Sequence, residues 1–558
     1  MGRRVKRTLI PILLLAGISL AVAGATPARS VASQTTLIFG TEGDPVALDG
    51  ALVSDGTSLR VLDQIAEGLV DQKPGTTVTV PSLARRWKAT KGGRVWTFQL
   101  RRGVRFHDNT AFNARAVCYN FDRWYNFKGS FQTIDATYYW QQVFGGFKNT
   151  VGKRSAPEEL RSSLYKSCSA RGAYTARITL TKPSASFLAG LALRNFAIMS
   201  PAALKKYGAN KGVVDSNGVF RPAGSFATKH PIGTGPYKFQ SWTLGERLVI
   251  VKNPRYWGPK ARISRIIFRP IADNAARLQA LQTGEVNLYD LVDPQDFRTI
   301  RRNNRLKLQF RGAFNVGYVG IQMNKPPFNK LKARQAVAYG LDRRSVVRAF
   351  YPGVGQVATQ FMPPSMEGHA RKVVTYGYNP TKAKQLLRQA GLSLPVKIEF
   401  YYFTRVRGYF PAPKETFEAF KASLERSGFQ VEAKVLPFRP DYLSVAHKGD
   451  AGNLHMLGWI ADFGDPDNFL GVFFQKPNPE FGWRNPAIQR LLNQAEQETN
   501  HERRIALYQR ANQRIMQVLP MVPIAHARSA FGVQRRVRGL IPSPVQIEWL
   551  RLTSIGGT

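Results

Sequence analysis

Runs of apolar residues along the chain predict strands, and segments with helical periodicity separate them. Nine segments are typical of strands because β-branched and aromatic residues dominate them. They are TLIFGT from Thr36, RVWTFQLR from Arg94, YTARITL from Tyr174, ERLVIVKN from Glu246, ISRIIFRPI from Ile263, NVGYVGIQMN from Asn315, VKIEFYY from Val396, QVEAKVLP from Gln430 and NLHMLGWI from Asn453. Because such strands alternate with helices throughout, the pattern predicts an α/β fold.

Two helices carry clear boundary signals. In NPTKAKQLLRQAG, Asn379 is placed as the N-cap, Pro380 takes the first helical position and Gly391 follows the end. DNAARLQALQTG repeats the arrangement, with Asp273 as the cap and Gly284 as the stop. Both segments are therefore predicted to be helices.

Two further segments near the middle and the end of the chain lead to predictions. The stretch that begins at Asn485 predicts two helices, which divide near Asn500 and end at Pro520. The stretch DSNGVFRPAGSFATKHP, which begins at Asp215, is rich in glycine, proline and polar residues and is predicted to be a long loop.

Length and charge narrow the class of protein. A chain of 558 residues exceeds the length at which one hydrophobic core usually divides, so two or three domains are expected. The chain has 80 Lys and Arg residues against 36 Asp and Glu residues, a formal charge of +44. These basic residues are scattered in ones and twos and form no known nucleic-acid-binding motif. We therefore expect no nucleic-acid partner.

The N-terminus is typical of an export signal. Four basic residues precede an apolar run from Leu9 to Ala23, and small residues suit cleavage after Ala25 or Ala32. The run is short for a membrane-spanning helix, although an uncleaved anchor is the alternative. No cysteine follows it, so we expect an exported, non-lipidated protein at the cell surface or in the periplasm. Anionic lipids or cell-surface polymers are then candidate partners for its positive charge, and a solvated basic surface without a partner is the alternative.

The chain has two cysteines, Cys118 and Cys168. An isolated pair in an exported protein favours a disulfide over a catalytic or metal site. A zinc site would need histidine partners, and His107 has none at ligand spacing. We therefore predict a Cys118–Cys168 disulfide and no metal.

The segment GWIADFGDPDNFL places three acidic residues, Asp462, Asp465 and Asp467, in an otherwise basic chain. Their spacing around Pro466 is typical of a turn after a strand, where Asp stabilises the backbone. One alternative is that they bind a metal together with His455, which would make the protein a metal-dependent hydrolase. A further alternative does not involve these aspartates: the basic residues of the chain could make it a polyanion-binding surface protein, whose affinity for the polyanion would fall steeply with salt.

Several segments in one order resemble a single family. The segment from Pro81 to Val117 contains the pattern L-A-x-x-W and then W-T-F-x-L-R-x-G-V-x-F-H-D, with Asn109 where the family has glycine. Further matching segments are PIGTGPYKF, NPRYWG, RLQALQTGEVNL, NKPPFNKLKARQAVAYGLDR and GWIADFGDPDNFL. Together they resemble the family-5 extracellular solute-binding proteins of ABC importers, the oligopeptide and dipeptide receptors.

This resemblance implies a two-lobed clamshell of the periplasmic-binding-protein type (class II, cluster C) with an extra inserted subdomain. The chain would close around its ligand by hinge motion, act as a monomer and present the ligand to an ABC permease, without catalysis and without a cofactor. Two crossover strands are expected near residues 311–322 and 521–530. The expected divisions are 1–32 as signal peptide and tail, 33–74, 230–314 and 525–558 as lobe I, 75–229 as the insertion and 315–524 as lobe II.

The resemblance also implies ligand-binding residues in lobe II. Asp462 would pair with the α-ammonium of a peptide, and backbone groups of Gly458 and Ile460 would bond the peptide as an added strand. Trp459 would supply an apolar wall.

A carboxylate partner and an opposite wall complete the expected site. The stretch VRGYFP resembles a family segment whose arginine binds the ligand carboxylate, which indicates Arg407, with Arg405 as the alternative. The segment Ser54, Asp55, Gly56 and Thr57 would line the opposite wall of the cleft. The expected function is peptide capture for import, and the same fold would also suit an oligosaccharide, an opine or chelated nickel.

Overall fold

The structure is a computed structural model that describes residues 35–216 and 219–556. The predicted signal peptide and tail, residues 1–32, lie outside the described residues. The strands, numbered in chain order, are β1 (Thr36–Thr41), β2 (Val70–Gln72), β3 (Thr79–Pro81), β4 (Ala84–Thr90), β5 (Val95–Leu100), β6 (Tyr165–Ala170), β7 (Thr175–Leu180), β8 (Gly212–Val214), β9 (Phe220–Pro222), β10 (Tyr237–Thr243), β11 (Arg247–Lys252), β12 (Arg265–Pro270), β13 (Leu288–Tyr289), β14 (Leu306–Phe310), β15 (Asn315–Ile321), β16 (Gly355–Val357), β17 (Val396–Tyr402), β18 (Phe429–Val435), β19 (Leu454–Ile460), β20 (Met521–Ala527), β21 (Ala530–Gln534), β22 (Val537–Arg538) and β23 (Ser554–Ile555).

The α-helices pack on and between these strands. They are α1 (Gly56–Ile65), α2 (Ala114–Tyr125), α3 (Ile134–Val143), α4 (Phe187–Gly190), α5 (Pro201–Lys206), α6 (Phe226–Lys229), α7 (Asn274–Thr283), α8 (Phe297–Arg302), α9 (Leu331–Gly340), α10 (Arg343–Phe350), α11 (Pro380–Gln389), α12 (Pro413–Arg426), α13 (Leu443–Lys448), α14 (Leu470–Phe474), α15 (Pro486–Gln497) and α16 (His501–Val518).

Two large mixed sheets form the centres of two lobes. The first sheet has the strand order β10-β11-β12-β1-β13-β21-β14, and the second has the order β16-β20-β15-β19-β17-β18. The strands β1 and β20 are apolar and largely buried, as expected for central strands covered on both faces. We call the lobe around the first sheet lobe I and the lobe around the second sheet lobe II.

The chain passes twice between the two sheets. β14 belongs to lobe I and β15 to lobe II, so the first passage is residues 311–314. β20 belongs to lobe II and β21 to lobe I, so the second passage is residues 528–529. The predicted boundary at residue 525 therefore falls inside β20. Two short, adjacent connections between two sheets are the usual construction of a hinge.

A third sheet, with the order β4-β5-β7-β6, lies between the first and second segments of lobe I in the sequence. It packs with α2 and α3 around a separate core rich in aromatic side chains, among them Phe98, Phe121 and Trp124. Cys118 of α2 and Cys168 of β6 form a disulfide there, which confirms the predicted pairing. We call this part the insertion.

The nine predicted strands are all present, as β1, β5, β7, β11, β12, β15, β17, β18 and β19. The predicted caps are also confirmed, since Asp273 and Asn379 each accept a backbone hydrogen bond at the start of their helices. The two helices predicted after Asn485 are α15 and α16.

The long loop predicted from Asp215 is wrong in part. That stretch contains β9, which pairs with β8, and the short helix α6. Tertiary contacts explain the difference, because Phe220 and Phe226 are buried and fix the backbone of a segment whose local sequence favours turns.

Candidate functional site

Asp462 follows the end of β19 and lies where lobe I, lobe II and the insertion meet. Its Oδ1 accepts a hydrogen bond from the Tyr139 hydroxyl of α3 at 2.6 Å. Its Oδ2 accepts from the Asn468 amide at 3.4 Å, and its backbone oxygen accepts from Gln72 of β2 at 3.3 Å. All of these donors are neutral.

The electrostatics of Asp462 follow from this environment. Burial raises the pKa of Asp462 from 3.8 to about 7, although the hydrogen bonds from Tyr139 and Asn468 lower it. Among the described residues, no Lys, Arg or His side chain forms an ion pair with it. A carboxylate with a raised pKa and only neutral donors in a cleft is typical of a site that accepts a cation.

Asp462 lines a cavity between the insertion and lobe II. Tyr138, Tyr139, Gln142, Lys182 and Ser186 line it from the insertion, and Trp459, Asp462, Asp467, Gln475 and Glu496 line it from lobe II. Besides the Tyr139–Asp462 hydrogen bond, side-chain bonds from Lys182 to Glu496 at 2.8 Å and from Ser186 to Asp467 at 3.0 Å join the walls. The two parts are therefore closed upon each other around Asp462.

Trp459 gives the cavity an aromatic wall. Its ring is half-buried and lies 5.2 Å from that of Phe473 and 6.5 Å from that of Tyr138, measured between centroids. Its Nε1 is buried and donates no hydrogen bond to the described residues. The ring therefore packs on lobe II through one side and borders the cavity through another.

Arg407 is held in a tight turn after β17. The backbone N–H of Arg407 donates to the oxygen of Phe410 at 2.9 Å, and the N–H of Phe410 donates back at 3.0 Å. The turn lies against β19, where a Cβ at Gly458 would come within 2.3 Å of the Tyr409 ring. Only glycine fits at position 458, and this close packing places Arg407 next to the end of β19.

Both candidate arginines reach across the cleft to lobe I. Arg405 and Arg407 lie 3.3 Å and 3.5 Å from Oε1 of Glu42, which follows the end of β1. Burial lowers the pKa of Arg407, but Tyr409 and Glu42 outweigh it and raise the pKa above its ordinary value. Asp55 also raises the pKa of Arg407, so the two lobe I carboxylates, Glu42 and Asp55, face a cationic group of lobe II.

β19 has an open edge next to this turn. Its full length pairs with β15, whereas β17 pairs only with Leu454 and His455. The N–H of Ala461 donates to Phe314 on the β15 side, so backbone groups of Gly458 and Ile460 point to the opposite edge. Within residues 35–216 and 219–556, no strand occupies that edge beyond His455.

The segment Ser54–Thr57 lies at the start of α1 in lobe I. Asp55 caps this helix, because its Oδ1 accepts from the Ser58 N–H at 2.8 Å. Gly56 is exposed, Ser54 is half-buried and Thr57 is buried. The segment thus contributes backbone and the Asp55 carboxylate to the lobe I side, which carries Glu42 as well.

Asp465 and Asp467, the other two aspartates of the segment GWIADFGDPDNFL, have different surroundings from those of Asp462. Asp465 accepts a hydrogen bond from the Asp467 N–H at 2.9 Å and forms a buried ion pair with Arg504. Asp467 accepts from Ser186 at 3.0 Å and from Tyr508 at 3.2 Å. Burial, with nearby Glu496 and Asp465, raises the pKa of Asp467 to about 7.

This geometry does not support the metal-dependent hydrolase. His455 is buried and lies 3.1 Å from Glu480, and it packs against Gly320 of β15. In the described part of the chain, no three His, Cys, Asp or Glu side chains are grouped so that they could hold a metal ion.

The sequence did not indicate several residues of the site: Glu42, Gln72, Tyr138, Tyr139 and Asn468. A signal for Glu42 was present, because it directly follows the strand predicted at Thr36, and clefts form at the carboxyl ends of parallel strands. Tyr138 and Tyr139 come from the insertion, and nothing in their local sequence links them to Asp462.

The described residues contain no helix that is both long enough and apolar enough to cross a bilayer. Residues 78–481 match the model of the bacterial extracellular solute-binding proteins, family 5. The chain is 30% identical to the dipeptide-binding protein of Escherichia coli, with 95% of this chain and 96% of that protein covered. It is 29% identical to heme-binding protein A of Haemophilus influenzae, with 95% and 94% covered.

A solved structure shows the same architecture. The ABC transporter-associated periplasmic binding protein DppA from Helicobacter pylori, in complex with the peptide STSA, matches with a TM-score of 0.80 and 28% identity. The match covers 94% of this chain and 98% of that one. The lobes, the insertion and the matched sequence agree, and the chain belongs to family 5 of the bacterial extracellular solute-binding proteins.

Proposed function

We propose that this protein captures short peptides between its two lobes and presents them to an ABC permease. Asp462 binds the peptide's α-ammonium, and Arg407, with Arg405 beside it, binds the α-carboxylate. The protein performs no catalysis, and it works outside the membrane after export.

The observation that carries this proposal is the state of Asp462. Its carboxylate lines a cavity between the insertion and lobe II, its pKa is raised to about 7, and its partners are the neutral Tyr139 and Asn468. Hydrogen bonds to a charged group contribute about 1.5 to 3 kcal/mol, so a cationic ligand gains much from this position. A neutral sugar would not supply the missing charge.

The open edge of β19 supports a peptide in particular. Backbone groups of Gly458 and Ile460 point to an edge that β17 leaves unpaired. An extended peptide pairs with such an edge through main-chain hydrogen bonds, which are independent of its side chains. Trp459 then borders the side chain of the bound peptide, and the segment Ser54–Thr57 faces it from lobe I.

The pair of arginines supports a ligand with a free carboxylate. Arg405 and Arg407 both lie within 3.5 Å of Glu42, so their guanidinium groups are close to the same point of the cleft. A guanidinium group matches a carboxylate in shape and can donate two parallel hydrogen bonds to it. A zwitterionic peptide supplies this group at the opposite end from its ammonium.

Two of the relatives support a peptide as the ligand class. The Escherichia coli protein is a dipeptide-binding protein, and the Helicobacter pylori structure contains a bound peptide. Both match over more than nine tenths of this chain. Their names support peptide import rather than an oligosaccharide, an opine or chelated nickel as the ligand class.

Calorimetric titration tests the proposal with two probes, Ala-Ala and Ser-Thr-Ser-Ala, each in free, N-acetylated and C-amidated form. We expect the wild type to bind at least one free peptide and to bind its acetylated form at least a hundredfold more weakly. Asp462→Asn leaves a cation without a counter-ion, which typically costs about 3 to 5 kcal/mol, so this variant should lose most of the discrimination.

Two variants serve as controls. Asp467→Asn changes a carboxylate in the same cavity and should keep the discrimination between free and acetylated peptide. Arg407→Gln should weaken the binding of the free peptide and leave the affinity for the C-amidated peptide almost unchanged. Equal wild-type affinity for free and acetylated peptides would remove Asp462 from the site and favour the oligosaccharide alternative, which titration with maltose and cellobiose would then examine.

A further inference from the structure

The insertion has a second cavity, at the edge of its sheet where β6 lies. This cavity has a volume of about 450 Å³ and is partly open to solvent. It shares no lining residue with the cavity around Asp462. The chain itself separates the two, because Ser162 and Leu164 line the Asp462 cavity, whereas Ser163 and Tyr165 line the second one. We call the second cavity the edge cavity.

The edge cavity is cationic. No Asp or Glu lines it, and the cationic side chains that line it are Lys91, Arg94, Lys166 and Arg177. Among the described residues, the side chains of Lys91, Lys166 and Arg177 form no hydrogen bond or ion pair. Asp122 accepts a hydrogen bond from the Tyr165 hydroxyl at 2.7 Å, but Asp122 does not line the cavity. A cleft lined by charges of one sign concentrates ions of the opposite sign, so the edge cavity attracts anions.

A buried hydroxyl group also lines the edge cavity. Ser163 is only 6% exposed, and its Oγ has no hydrogen-bond partner among the described residues. Its backbone is held in place, because its backbone oxygen accepts a hydrogen bond from the Thr181 hydroxyl at 2.7 Å. A buried hydroxyl without a partner costs free energy, and most such groups in proteins have one. An oxygen atom of a bound ligand would supply the missing partner.

The cationic surface continues from the edge cavity over the outer face of the sheet. Residues 84–100 and 165–180, which contain β4 to β7, have eight Lys and Arg residues and no Asp or Glu. One face of this sheet, with Phe98 and Ile178, packs on the aromatic core of the insertion, and we call the opposite face the outer face. One cross-strand row on the outer face is Lys88, Thr97, Arg177 and Ser169. Arg86 lies two positions before Lys88 on β4, and both side chains are exposed.

The spacing of these cations favours an extended anion over a compact one. Neighbouring strands are about 4.8 Å apart, so Lys88 and Arg177, which are two strands apart, have Cα atoms about 10 Å from each other. A single anionic group in the edge cavity would contact the cations that line it and leave Lys88 and Arg86 without a partner. A chain of anionic groups would follow the row across the sheet and contact both sets of cations.

The directions of the donors favour phosphate groups. The donors come from different elements, since Lys91 lies in the β4–β5 turn, Lys166 on β6, Arg177 on β7 and Ser163 before β6. A tetrahedral phosphate group directs oxygen atoms toward several sides at once, whereas the two oxygens of a carboxylate lie in one plane. Guanidinium, ammonium and hydroxyl groups all donate to phosphate oxygens, and hydrogen bonds between ionised groups are the stronger ones.

We propose that the edge cavity and the outer face of the insertion's sheet bind an anionic polymer whose repeating units carry phosphate groups. One phosphate group enters the edge cavity, where Lys166, Arg177 and Ser163 donate hydrogen bonds to it, and further groups lie along the row toward Lys88. The polymer occupies one side of the insertion and does not cover the cleft, so the cleft can still bind its ligand and face a permease. The proposal does not depend on the identity of that ligand.

Calorimetric titration of the full chain tests this proposal. The probes are long-chain polyphosphate, tripolyphosphate and polyglutamate, each at low and high salt. The test variant carries Arg94→Gln, Lys166→Gln and Arg177→Gln. A second variant, Ser163→Ala, keeps every charge. The matched control carries Arg298→Gln, Arg302→Gln and Arg305→Gln, three exposed positions on or after α8 of lobe I.

The test variant and the control both lose three charges, so they differ only in where the charge is lost. We expect the wild type and the control to bind long-chain polyphosphate within twofold of each other, and the test variant to bind at least tenfold more weakly. Ser163→Ala should weaken binding several-fold, which a general attraction to a basic surface would not explain. Wild-type affinity should fall with salt and be weaker for tripolyphosphate and for polyglutamate.

Three results would each overturn the proposal. Equal losses in the test variant and the control, no loss in either, or an unchanged affinity in Ser163→Ala would show that the edge cavity has no special role. Equal wild-type affinity for tripolyphosphate and long-chain polyphosphate would assign the cavity to a compact anion instead of a polymer. Equal affinity for polyglutamate would show that negative charge alone is recognised. Thermal melting of all variants checks that the substitutions leave the fold intact.

Discussion

Peptide affinity should depend strongly on pH between pH 5 and 7, because Asp462 must be ionised to bind an ammonium group. Burial raises its pKa to about 7. Below that value the carboxyl group is protonated, and a cationic ligand must first displace the proton. The other titratable groups that line the cavity are Tyr138, Tyr139, Lys182, Asp467, Lys476 and Glu496, with no histidine among the described lining residues.

The magnitude follows from the pKa of the carboxyl group. A pKa of about 7 leaves roughly 1% of Asp462 ionised at pH 5 and half of it at pH 7, so the dissociation constant should fall about 50-fold over this range, or about 2.3 kcal/mol. The α-ammonium of a peptide titrates near pH 7.7 to 8, so affinity should fall again at higher pH. The expected profile is therefore a bell with its maximum between pH 7 and 8.

The stability of the empty protein should change in the opposite sense. Folding raises the pKa of this carboxyl group, so the protonated group contributes to the stability of the folded state. The contribution is complete when the pH is below the pKa of the unfolded state, near 4. This contribution is lost as pH rises through the folded pKa, near 7. The shift of Asp462 from 3.8 to about 7 corresponds to roughly 4 kcal/mol at most. A bound ammonium group offsets this cost, so ligand should stabilise the protein most above pH 7.

Calorimetric titration of wild type, Asp462→Asn and Asp467→Asn with one dipeptide at pH 5, 6, 7 and 8 measures the profile. Asp467 is the matched control, because it lines the same cavity and its pKa is also raised to about 7. We expect the slope below pH 7 to disappear in Asp462→Asn and to persist in Asp467→Asn. A wild-type affinity that is flat from pH 5 to 7, or a slope that survives in Asp462→Asn, would refute the assignment.

Three more changes test other parts of the structure. Replacing Cys118 and Cys168 by serine opens a loop with a sequence separation of 50 residues and should lower the free energy of unfolding in urea by about 4 kcal/mol. An unchanged free energy would contradict the disulfide. Glu42→Gln removes a carboxylate that competes with the ligand's own, so calorimetry should show affinity for a free dipeptide rising several-fold, by about 1 kcal/mol. An equal gain in affinity for the C-amidated dipeptide would show that Glu42 does not compete with the ligand's carboxylate. Asp465→Asn leaves the buried Arg504 unpaired and should cost about 3 to 5 kcal/mol of stability in urea. Dipeptide affinity within twofold of wild type is expected; a large loss of affinity would place Asp465 in the ligand site.

The parts of the fold that the sequence predicted are those set by local pattern. The strand β17, for example, alternates buried residues with exposed or half-buried ones along VKIEFYY, and this period of two is visible without any structure. The caps Asp273 and Asn379 act within their own helices. Where tertiary contacts determine the secondary structure, as burial of Phe220 does in β9, the local sequence pattern led to a wrong prediction.

The site was predictable only where its residues lie in a recognisable segment. Asp462 lies in a segment that resembles a family motif, so the sequence indicated it. Tyr139 and Glu42 come from other parts of the chain, and contacts across more than three hundred positions, to Asp462 for Tyr139 and to Arg405 and Arg407 for Glu42, place them in the site. Neither hydrophobic periodicity nor motif spacing carries information about contacts at that range.

The charge of +44 and a site for an ammonium group are compatible because the two act over different distances. At physiological ionic strength the Debye length is about 8 Å, so exposed cations far from the cleft act weakly on a ligand inside it. Inside the cleft, the Asp462 carboxylate interacts at hydrogen-bond distance in a poorly solvated environment, where attraction is stronger and less screened. The fold also separates these groups, since Glu42 and Asp55 lie at the cleft end of lobe I, whereas the exposed Arg535 follows Gln534 at the other end of the same sheet. A strongly basic protein can therefore still select a cationic group in its cleft.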